Sequence, residues 1–261
     1  MTENVRGSFH IQTRVISALL MREIITRYGR NNIGFLWLFV EPLLITLAIL
    51  AIWTFSGAHT VSKLNIVAFM LTGYPMTMMW RDAANRSLNA IGSNISLLYH
   101  RNVRVLDVFT SRILLELAGN TVAFIGLMLV FIFIGIIPAP ANILYMVYAW
   151  VLVAWFGSAL GLIVGVLAER IEVFGQLWRA FSMVLMPISG AFVFVDSVPF
   201  TVQKVLLWMP MVHGTEMLRH GYFGTVVRTH ENPWFLIVVN VVMTFVGLVM
   251  VQKYSRGVEP S

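Results

Sequence analysis

Six runs of apolar residues, each about 20 residues long, limit most strongly what this chain can fold into. The runs lie at 33–55, 66–82, 108–137, 142–167, 173–195 and 234–252. A helix of about 20 residues crosses a hydrocarbon core about 30 Å thick. Inside lipid, only helices and closed barrels satisfy all of their backbone hydrogen bonds. Because the runs lack two-residue alternation, they predict helices, and we expect an all-α membrane protein with six transmembrane helices.

The composition excludes a soluble domain. Hydrophobic residues make up 58% of the chain and charged residues 11%, whereas soluble domains carry about 25% charged residues. The net charge of +6 does not indicate nucleic-acid binding, because no basic stripe carries interleaved aromatic residues. Of the 18 Lys and Arg residues, 14 flank the predicted spans on one side, and this bias predicts that both termini are cytoplasmic.

The predicted spans divide the chain into three parts. Residues 1–32 form a cytoplasmic N-terminus, 33–255 the transmembrane domain and 256–261 a cytoplasmic tail. Within 11–30, apolar residues recur at Ile16, Leu20, Ile24 and Tyr28, opposite Arg22, Thr26 and Arg30. This pattern fits an amphipathic helix in the membrane interface, and equally a helix packed on a soluble partner.

Residues 198–214 are apolar enough to suggest a seventh span, but Lys204 and Pro210 interrupt them. A span here would also move the basic tail to the outside. We therefore predict two short re-entrant helices between the fifth and sixth spans, because irregular backbone at membrane depth needs protein or water around it. The segment 196–225 then forms an outer gate, and its candidate residues are Lys204, His213, Glu216 and Arg219.

His213, Glu216 and His220 follow one another at i, i+3 and i+7 and share a helical face. Histidine and carboxylate side chains bind zinc, so a metal site or an intramembrane hydrolase is one interpretation. The spacing matches no zinc motif, and polar groups lining a wet outer vestibule are the preferred interpretation. We expect no metal and no cofactor bound by this chain itself.

Four residues are candidates for a translocation path: Trp37, Glu41, Tyr74 and Trp155. Glu41 precedes a proline inside the first span, and an ionisable residue at membrane depth usually faces a cavity or a partner. It is also the proton site that an ion-coupled carrier or channel would need. The Gly73-Tyr74-Pro75 sequence predicts a break in the second span. Glu116 follows Arg112 by four residues, which predicts an ion pair on one helix.

Glycines recur every four residues at Gly157, Gly161 and Gly165. Such a row lets another helix approach closely, and we expect it to tolerate alanine but to reject leucine. The sequence alone does not determine whether the neighbouring helix belongs to the same chain or to a second copy.

A P-loop is absent from the sequence. That motif needs a glycine immediately before its lysine, whereas Lys63, Lys204 and Lys253 follow Ser62, Gln203 and Gln252. The chain is therefore not predicted to be an enzyme, and any ATP hydrolysis must occur on another chain.

Residues 20–42 (LMREIITRYGRNNIGFLWLFVEP) resemble the N-terminal signature of ABC-2 type permeases, particularly the capsular polysaccharide export permeases of Gram-negative bacteria. Arg22, Glu23, Arg27 and Tyr28 carry this resemblance, which continues at 91–116 and 206–219. It implies the ABC-2 exporter fold in the bacterial inner membrane and places the N-terminal helix at the cytoplasmic interface.

The resemblance also implies the partners. It predicts a second copy of this chain, two cytoplasmic ABC ATPase subunits that bind ATP and Mg, a periplasmic adaptor and an outer-membrane channel. The substrate would be a lipid-linked, acidic capsular polysaccharide, with O-antigen or teichoic acid as alternatives. A loop at about 84–101 would couple the ATPases to the membrane domain, with Asn89, Asn94, Tyr99 and Arg101 as candidates. Arg219 and the gate histidines would face the polymer as it leaves.

Overall fold

The computed structural model describes residues 2–28, 60–61, 64–98 and 103–258, together with residues 40, 44, 47, 48, 51 and 52. Most of the first predicted span, 33–55, therefore lies outside the described residues. In the described part the chain is helical apart from one two-stranded hairpin and short turns.

The helices are α1 (Thr2–Tyr28), α2 (Ile66–Ser87), α3 (Ile95–Leu98), α4 (Val105–Phe133), α5 (Ile143–Arg170), α6 (Phe174–Ile188), α7 (Phe200–Leu206), α8 (Pro210–Phe223) and α9 (Pro233–Val258). The hairpin pairs β1 (Thr60–Val61) with β2 (Leu64–Asn65) in antiparallel register. Turns of 3-10 helix occupy Gly92–Asn94, Val195–Ser197 and Gly224–Val226.

Polar side chains at the helix ends fix where several of these helices begin. The side chain of Asn65 accepts hydrogen bonds from the backbone N–H groups of Val67 and Ala68 and caps α2. Asn142 accepts from the N–H of Tyr145 and caps α5. Pro210 begins α8. The first residues of a helix have no intrahelical acceptor for their N–H groups, so the lack of an N–H in proline costs no hydrogen bond there.

Three helices in the described part are long and apolar enough to cross a membrane, namely α4, α5 and α9. The fifth predicted span, 173–195, ends early: α6 has 15 residues and stops at Ile188. At 1.5 Å per residue it is about 22 Å long, shorter than a hydrocarbon core. Pro187 lies in its last turn, and Gly190 follows with a φ of +79°, so the helix ends there. The chain itself continues along α2, because Ser189 contacts Thr77 and Phe194 contacts Phe69. The six-span count stays a prediction.

The segment interpreted as two short helices does form α7 and α8, and the second begins at Pro210. Their depth in a membrane stays a prediction. In contrast, the predicted break in the second span is wrong. The α2 helix continues from Ile66 to Ser87 with Pro75 inside it. Neighbouring elements hold it straight, because Thr77 bonds Ser189 across the 189–199 turn at 2.7 Å.

At the centre of the packing is α5, which contacts α2, α8 and α9. The glycine row faces α2 of the same chain: a Cβ on Gly157 would lie 2.8 Å from Trp80 Cα, and one on Gly161 would lie 2.9 Å from Ser87 Oγ. A Cβ on Gly165 would overlap the Phe109 ring of α4. These distances argue against the expectation that the row tolerates alanine, because a methyl group at any of the three positions would require neighbouring atoms to shift.

The first helix packs against α4 of its own chain. Leu19 is buried, and Leu20 and Ile24 cover Leu115 of α4. Met21 and Ile25 are exposed. The apolar face of α1 is thus partly occupied by this chain, and its placement in a membrane interface stays a prediction. Arg27 and Tyr28 close α1, and their side chains lie outside the described part.

Candidate coupling junction and outer gate

Residues 85–94 connect the last turn of α2 to the short α3 helix, and side chains from four other helices bind them. We call these residues and the side chains that bind them the junction. Trp178 of α6 donates its indole N–H to Asn85 Oδ1 at 3.0 Å. Glu169 near the end of α5 accepts from the backbone N–H groups of Ile91 and Gly92, at 3.2 and 3.1 Å. A carboxylate that accepts two backbone N–H groups at the start of a helical turn holds that turn firmly.

The guanidinium of Arg112, on α4, binds several groups of the junction at once. Its Nη1 donates to the carbonyl oxygens of Asn89 at 3.0 Å and Arg86 at 3.3 Å, and its Nη2 donates to Ser93 Oγ at 2.6 Å. Its Nε lies 3.2 Å from Glu23 Oε1 on α1. A cation that binds the free carbonyls at a helix end also offsets the partial negative charge there. Arg112 thereby joins the end of α2 to α1.

Two further side-chain pairs complete the junction. Arg22 of α1 donates to Asn94 Oδ1 at 2.5 Å, and Arg86 Nε lies 3.1 Å from Glu116 Oε1 on α4. The predicted pairing of Arg112 with Glu116 along one helix is replaced by these contacts, in which Glu116 bonds α2 and Arg112 bonds α1. Pairing between helices is possible because the last turns of α1 and α2 and the first turns of α4 lie near this point.

The structure tests the position, though not the role, of the predicted coupling residues. Asn89 is exposed, and its carbonyl accepts from Arg112. Asn94 is buried. Its side-chain amide donates to the carbonyl of Ala90 and accepts from Arg22, so its hydrogen bonds are made within this chain. Tyr99 and Arg101 lie outside the described residues.

At the opposite end of α5, three ionisable side chains of α8 are buried: His213, Glu216 and Arg219. We call them and the groups they bind the α8 cluster. Arg219 has no exposed surface. Its two terminal nitrogens donate to the carbonyls of Val193 and Ala191, both at 2.8 Å. The guanidinium also lies 4.1 Å from the ring centre of Phe69 and 4.7 Å from that of Phe194. Arg219 therefore fixes the 189–199 turn against α2.

Glu216 and His213, one and two turns earlier on α8, bind the loop before α9. Glu216 lies 3.8 Å from Arg219 and accepts from the N–H of His230 at 3.3 Å. His213 Nδ1 accepts from the N–H of Asn232 at 3.0 Å, so its Nε2 must carry the proton donated to the carbonyl of Leu207 at 2.9 Å. That tautomer is neutral, which suits its buried position.

Two histidine–carboxylate pairs hold the same loop nearer the surface. His220 Nδ1 lies 2.7 Å from Glu231 Oε1, and His230 Nε2 lies 2.9 Å from Asp196 Oδ1. The helical face shared by His213, Glu216 and His220 therefore binds residues 229–232. Within the described residues, no group of three or more metal-ligating side chains is placed to hold an ion.

The orientation predicted for three of the gate residues is wrong. Arg219, Glu216 and His213 do not face a path; they are buried and bond backbone groups of the chain itself. Lys204 on α7 is exposed, with its ammonium 4.6 Å from the Phe200 ring. Polar residues next to Pro210 predict a solvent-exposed surface on α8, but neighbouring segments of the chain bury these side chains.

Of the path candidates, Tyr74 and Trp155 lie in the described part. Tyr74 is buried and lines a small cavity with Asn120. Trp155 donates its indole N–H to Thr244 of α9 at 2.8 Å, which ties α5 to α9. Trp37 and Glu41 lie outside the described residues.

Sequence reasoning missed the residues that hold both sites together. Arg112 and Glu169 in the junction, and Asp196 and His230 beside the α8 cluster, make contacts between segments far apart in the chain. One signal was available: each is a charged or ionisable residue close to the end of an apolar run.

The sequence matches the ABC-2 type transporter family over residues 14–223. It is 58% identical to the capsule polysaccharide export inner-membrane protein CtrC of Neisseria meningitidis serogroup B, over 97% of this chain and 96% of CtrC. It is 56% identical to the capsule polysaccharide export inner-membrane protein BexB of Haemophilus influenzae, over 98% of this chain and 96% of BexB. It is 29% identical to the polysialic acid transport protein KpsM of Escherichia coli, over 94% of this chain and 95% of KpsM.

Proposed function

Because this chain belongs to the ABC-2 type transporter family, we propose that it is the membrane permease of an ATP-driven exporter of capsular polysaccharide. One observation carries the substrate class: relatives that share more than half of its residues over nearly their whole length are named for capsule polysaccharide export. The more distant relative is named for polysialic acid, an acidic polymer. An acidic, lipid-linked capsule chain is the substrate proposed here.

The motor resides on partner chains in this proposal. No lysine of the sequence follows a glycine, so the phosphate-binding loop comes from two ATPase subunits in the cytoplasm. Two copies of the permease form the path, with both termini in the cytoplasm. A periplasmic adaptor and an outer-membrane channel carry the polymer onward.

The junction is the proposed place where the ATPases act. It lies at one end of α5, and its residues bind α1, α4, α5 and α6. A displacement of residues 85–94 would therefore reach four helices. Asn89 is exposed in the junction, and we propose that it contacts an ATPase subunit. Tyr99 and Arg101, which lie outside the described residues, are further candidates that the sequence suggests.

The outer gate is proposed to consist of α7, α8 and the loop before α9. Because the buried side chains of α8 bind this loop, the segment would move as a unit rather than as separate helices. Lys204 is the exposed cation from the predicted gate set, and we propose it as a contact for the acidic polymer.

Complementation tests this function. The chain would be expressed together with a capsule-export ABC ATPase in a capsulated bacterium that lacks its own export permease. We expect capsule at the cell surface by antibody staining, and capsule retained inside the cells when the ATPase carries a substitution of its P-loop lysine.

Surface capsule that persists with the inactive ATPase would instead favour an ion-coupled carrier. A second host, lacking the permease of an O-antigen exporter, separates the substrates. Restored O-antigen without restored capsule would contradict the proposed substrate.

A further inference from the structure

Arg112 is the side chain that binds most groups of the junction. Its two terminal nitrogens donate to two carbonyls and a hydroxyl at 2.6–3.3 Å, and its Nε lies 3.2 Å from the Glu23 carboxylate as an ion pair. These partners come from two segments that are far apart in sequence: residues 86–93 and Glu23 of α1. Arg112 itself is on α4, so one planar group connects three parts of the chain.

The space beside Arg112 leaves these parts without close packing against one another. A cavity of about 200 Å³ lies between α1, the junction residues and α4. Its lining is polar or charged and consists of Arg22, Glu23, Thr26, Ser93, Asn94 and Arg112. Close packing would pass a displacement from one part to the next by itself, whereas across this cavity polar contacts such as those of Arg112 make the connection.

The contacts of Arg112 need the shape of arginine and not only its charge. A guanidinium presents five donors in a fixed plane, whereas the lysine ammonium is a compact point charge on a flexible stem. Lysine at position 112 could reach Glu23 or the carbonyls at the end of α2, but it could not hold both groups in one fixed geometry.

We propose that Arg112 is a positioning residue for transport: it transmits displacement of residues 85–94 to α1 and α4 by holding their groups on one guanidinium. The inference rests on the proposed function, since the displacement originates in the ATPase subunits. Arg112 contacts neither ATP nor polymer in this proposal. Its loss would separate ATP hydrolysis from export rather than stop either one directly.

The test uses the full exporter, permease with its ATPase, in proteoliposomes loaded with ATP and capsule polymer. Arg112→Lys is compared with Arg170→Lys, an exposed arginine at the end of α5. We expect Arg112→Lys to assemble and to hydrolyse ATP, but to export at least about ten-fold less polymer per ATP hydrolysed. A merely structural role would lower the amount of folded complex and leave this ratio unchanged. Arg170→Lys should match the parent.

A second measurement does not depend on the stability of Arg112 variants. The chain has no cysteine, so Thr26→Cys with Ser93→Cys places two thiols on opposite walls of the cavity. Because the proposal has these two segments move together, joining them with a short bifunctional reagent that contains a disulfide should leave both export and ATP hydrolysis unchanged. Each single variant, treated alike, is the control.

The outcomes separate this inference from the function on which it rests. A parent complex that exports no capsule polymer contradicts the proposed function. A parent that exports, together with Arg112→Lys at the parental ratio of export to hydrolysis, overturns the role of Arg112. If Arg112→Lys does not assemble, the cross-linked pair decides: export that stops when the cavity is bridged and returns on reduction overturns the proposal.

Discussion

The junction and the α8 cluster lie at opposite ends of α5, and they are built in opposite ways. In the α8 cluster, buried side chains bond backbone groups of nearby loops, and Arg219 has no exposed surface. In the junction, charged side chains of different helices bond one another around a cavity of about 200 Å³. Arg86, for example, is 46% exposed.

This difference indicates where the chain is rigid and where it can change shape. A buried charge whose partners are removed costs several kcal/mol, so the α8 cluster keeps one arrangement. Exposed ion pairs contribute about 0–1 kcal/mol each, so the partly exposed pairs of the junction hold their helices less rigidly than the α8 cluster holds its loops. A transporter needs both a less rigid site and a rigid one. Displacement that begins at the junction can open a path only if the α8 cluster keeps its own structure.

The strongest test of the comparison is Arg219→Ala. Truncation would leave the carbonyls of Ala191 and Val193, and the carboxylate of Glu216, buried without the guanidinium, and we expect a loss of about 3–5 kcal/mol in the free energy of unfolding. Thermal unfolding in detergent measures this, with exposed Arg228→Ala as the control. Equal unfolding temperatures for both variants would show that the α8 cluster is not a rigid element.

We expect the next largest loss of stability from a substitution at the contact between α2 and α5, which lies between the two sites. Gly157→Ala would place a methyl group 2.8 Å from Trp80 Cα, and overpacking of this kind costs about 1–3 kcal/mol. Gly126→Ala on α4 is the matched control, because no atom lies within 4 Å of the added methyl group. A helical glycine in open space should gain up to about 1 kcal/mol. If both variants unfold alike, α2 and α5 do not pack as closely as described.

Thiol labelling compares exposure within the gate itself. In this cysteine-free chain, Lys204→Cys lies on an exposed helix, whereas His213→Cys replaces a side chain that is 4% exposed. We expect a membrane-impermeant maleimide added from the periplasmic side to label position 204 at least about ten-fold faster, since a tenfold rate difference needs about 1.4 kcal/mol of protection. Equal rates would mean that α8 opens freely, and labelling only from the cytoplasm would reverse the predicted topology.

The smallest expected effect concerns the junction. Glu169→Ala removes the acceptor for the N–H groups of Ile91 and Gly92. Because Gly92 is exposed, its N–H can then bond water, so we expect a loss of about 1 kcal/mol. Exposed Glu172→Ala is the control in the same unfolding measurement. A loss as large as that of Arg219→Ala would remove the contrast between the two ends of α5.

Much of the fold could be predicted from the sequence because apolar length and charge bias are local properties. The helices α4, α5 and α9 agree with three predicted spans to within a few residues, and Pro210 marks the start of α8. The fifth span was predicted too long, since hydropathy continues past Ile188 while Pro187 and Gly190 turn the backbone. The break at Pro75 did not form, because tertiary contacts on both sides of α2 hold the helix together.

The sequence by itself determined the class of protein, the helical architecture, the family and the region in which coupling is proposed. Only the tertiary structure decided the partners of the charged residues. Arg112 binds Glu23 and not the residue one turn away, and Arg219 faces two carbonyls and not a path. The physical reason is that a hydropathy pattern fixes which residues can lie in an apolar environment. A buried charge, however, must find its partner in three dimensions, and that partner comes from a segment distant in the chain.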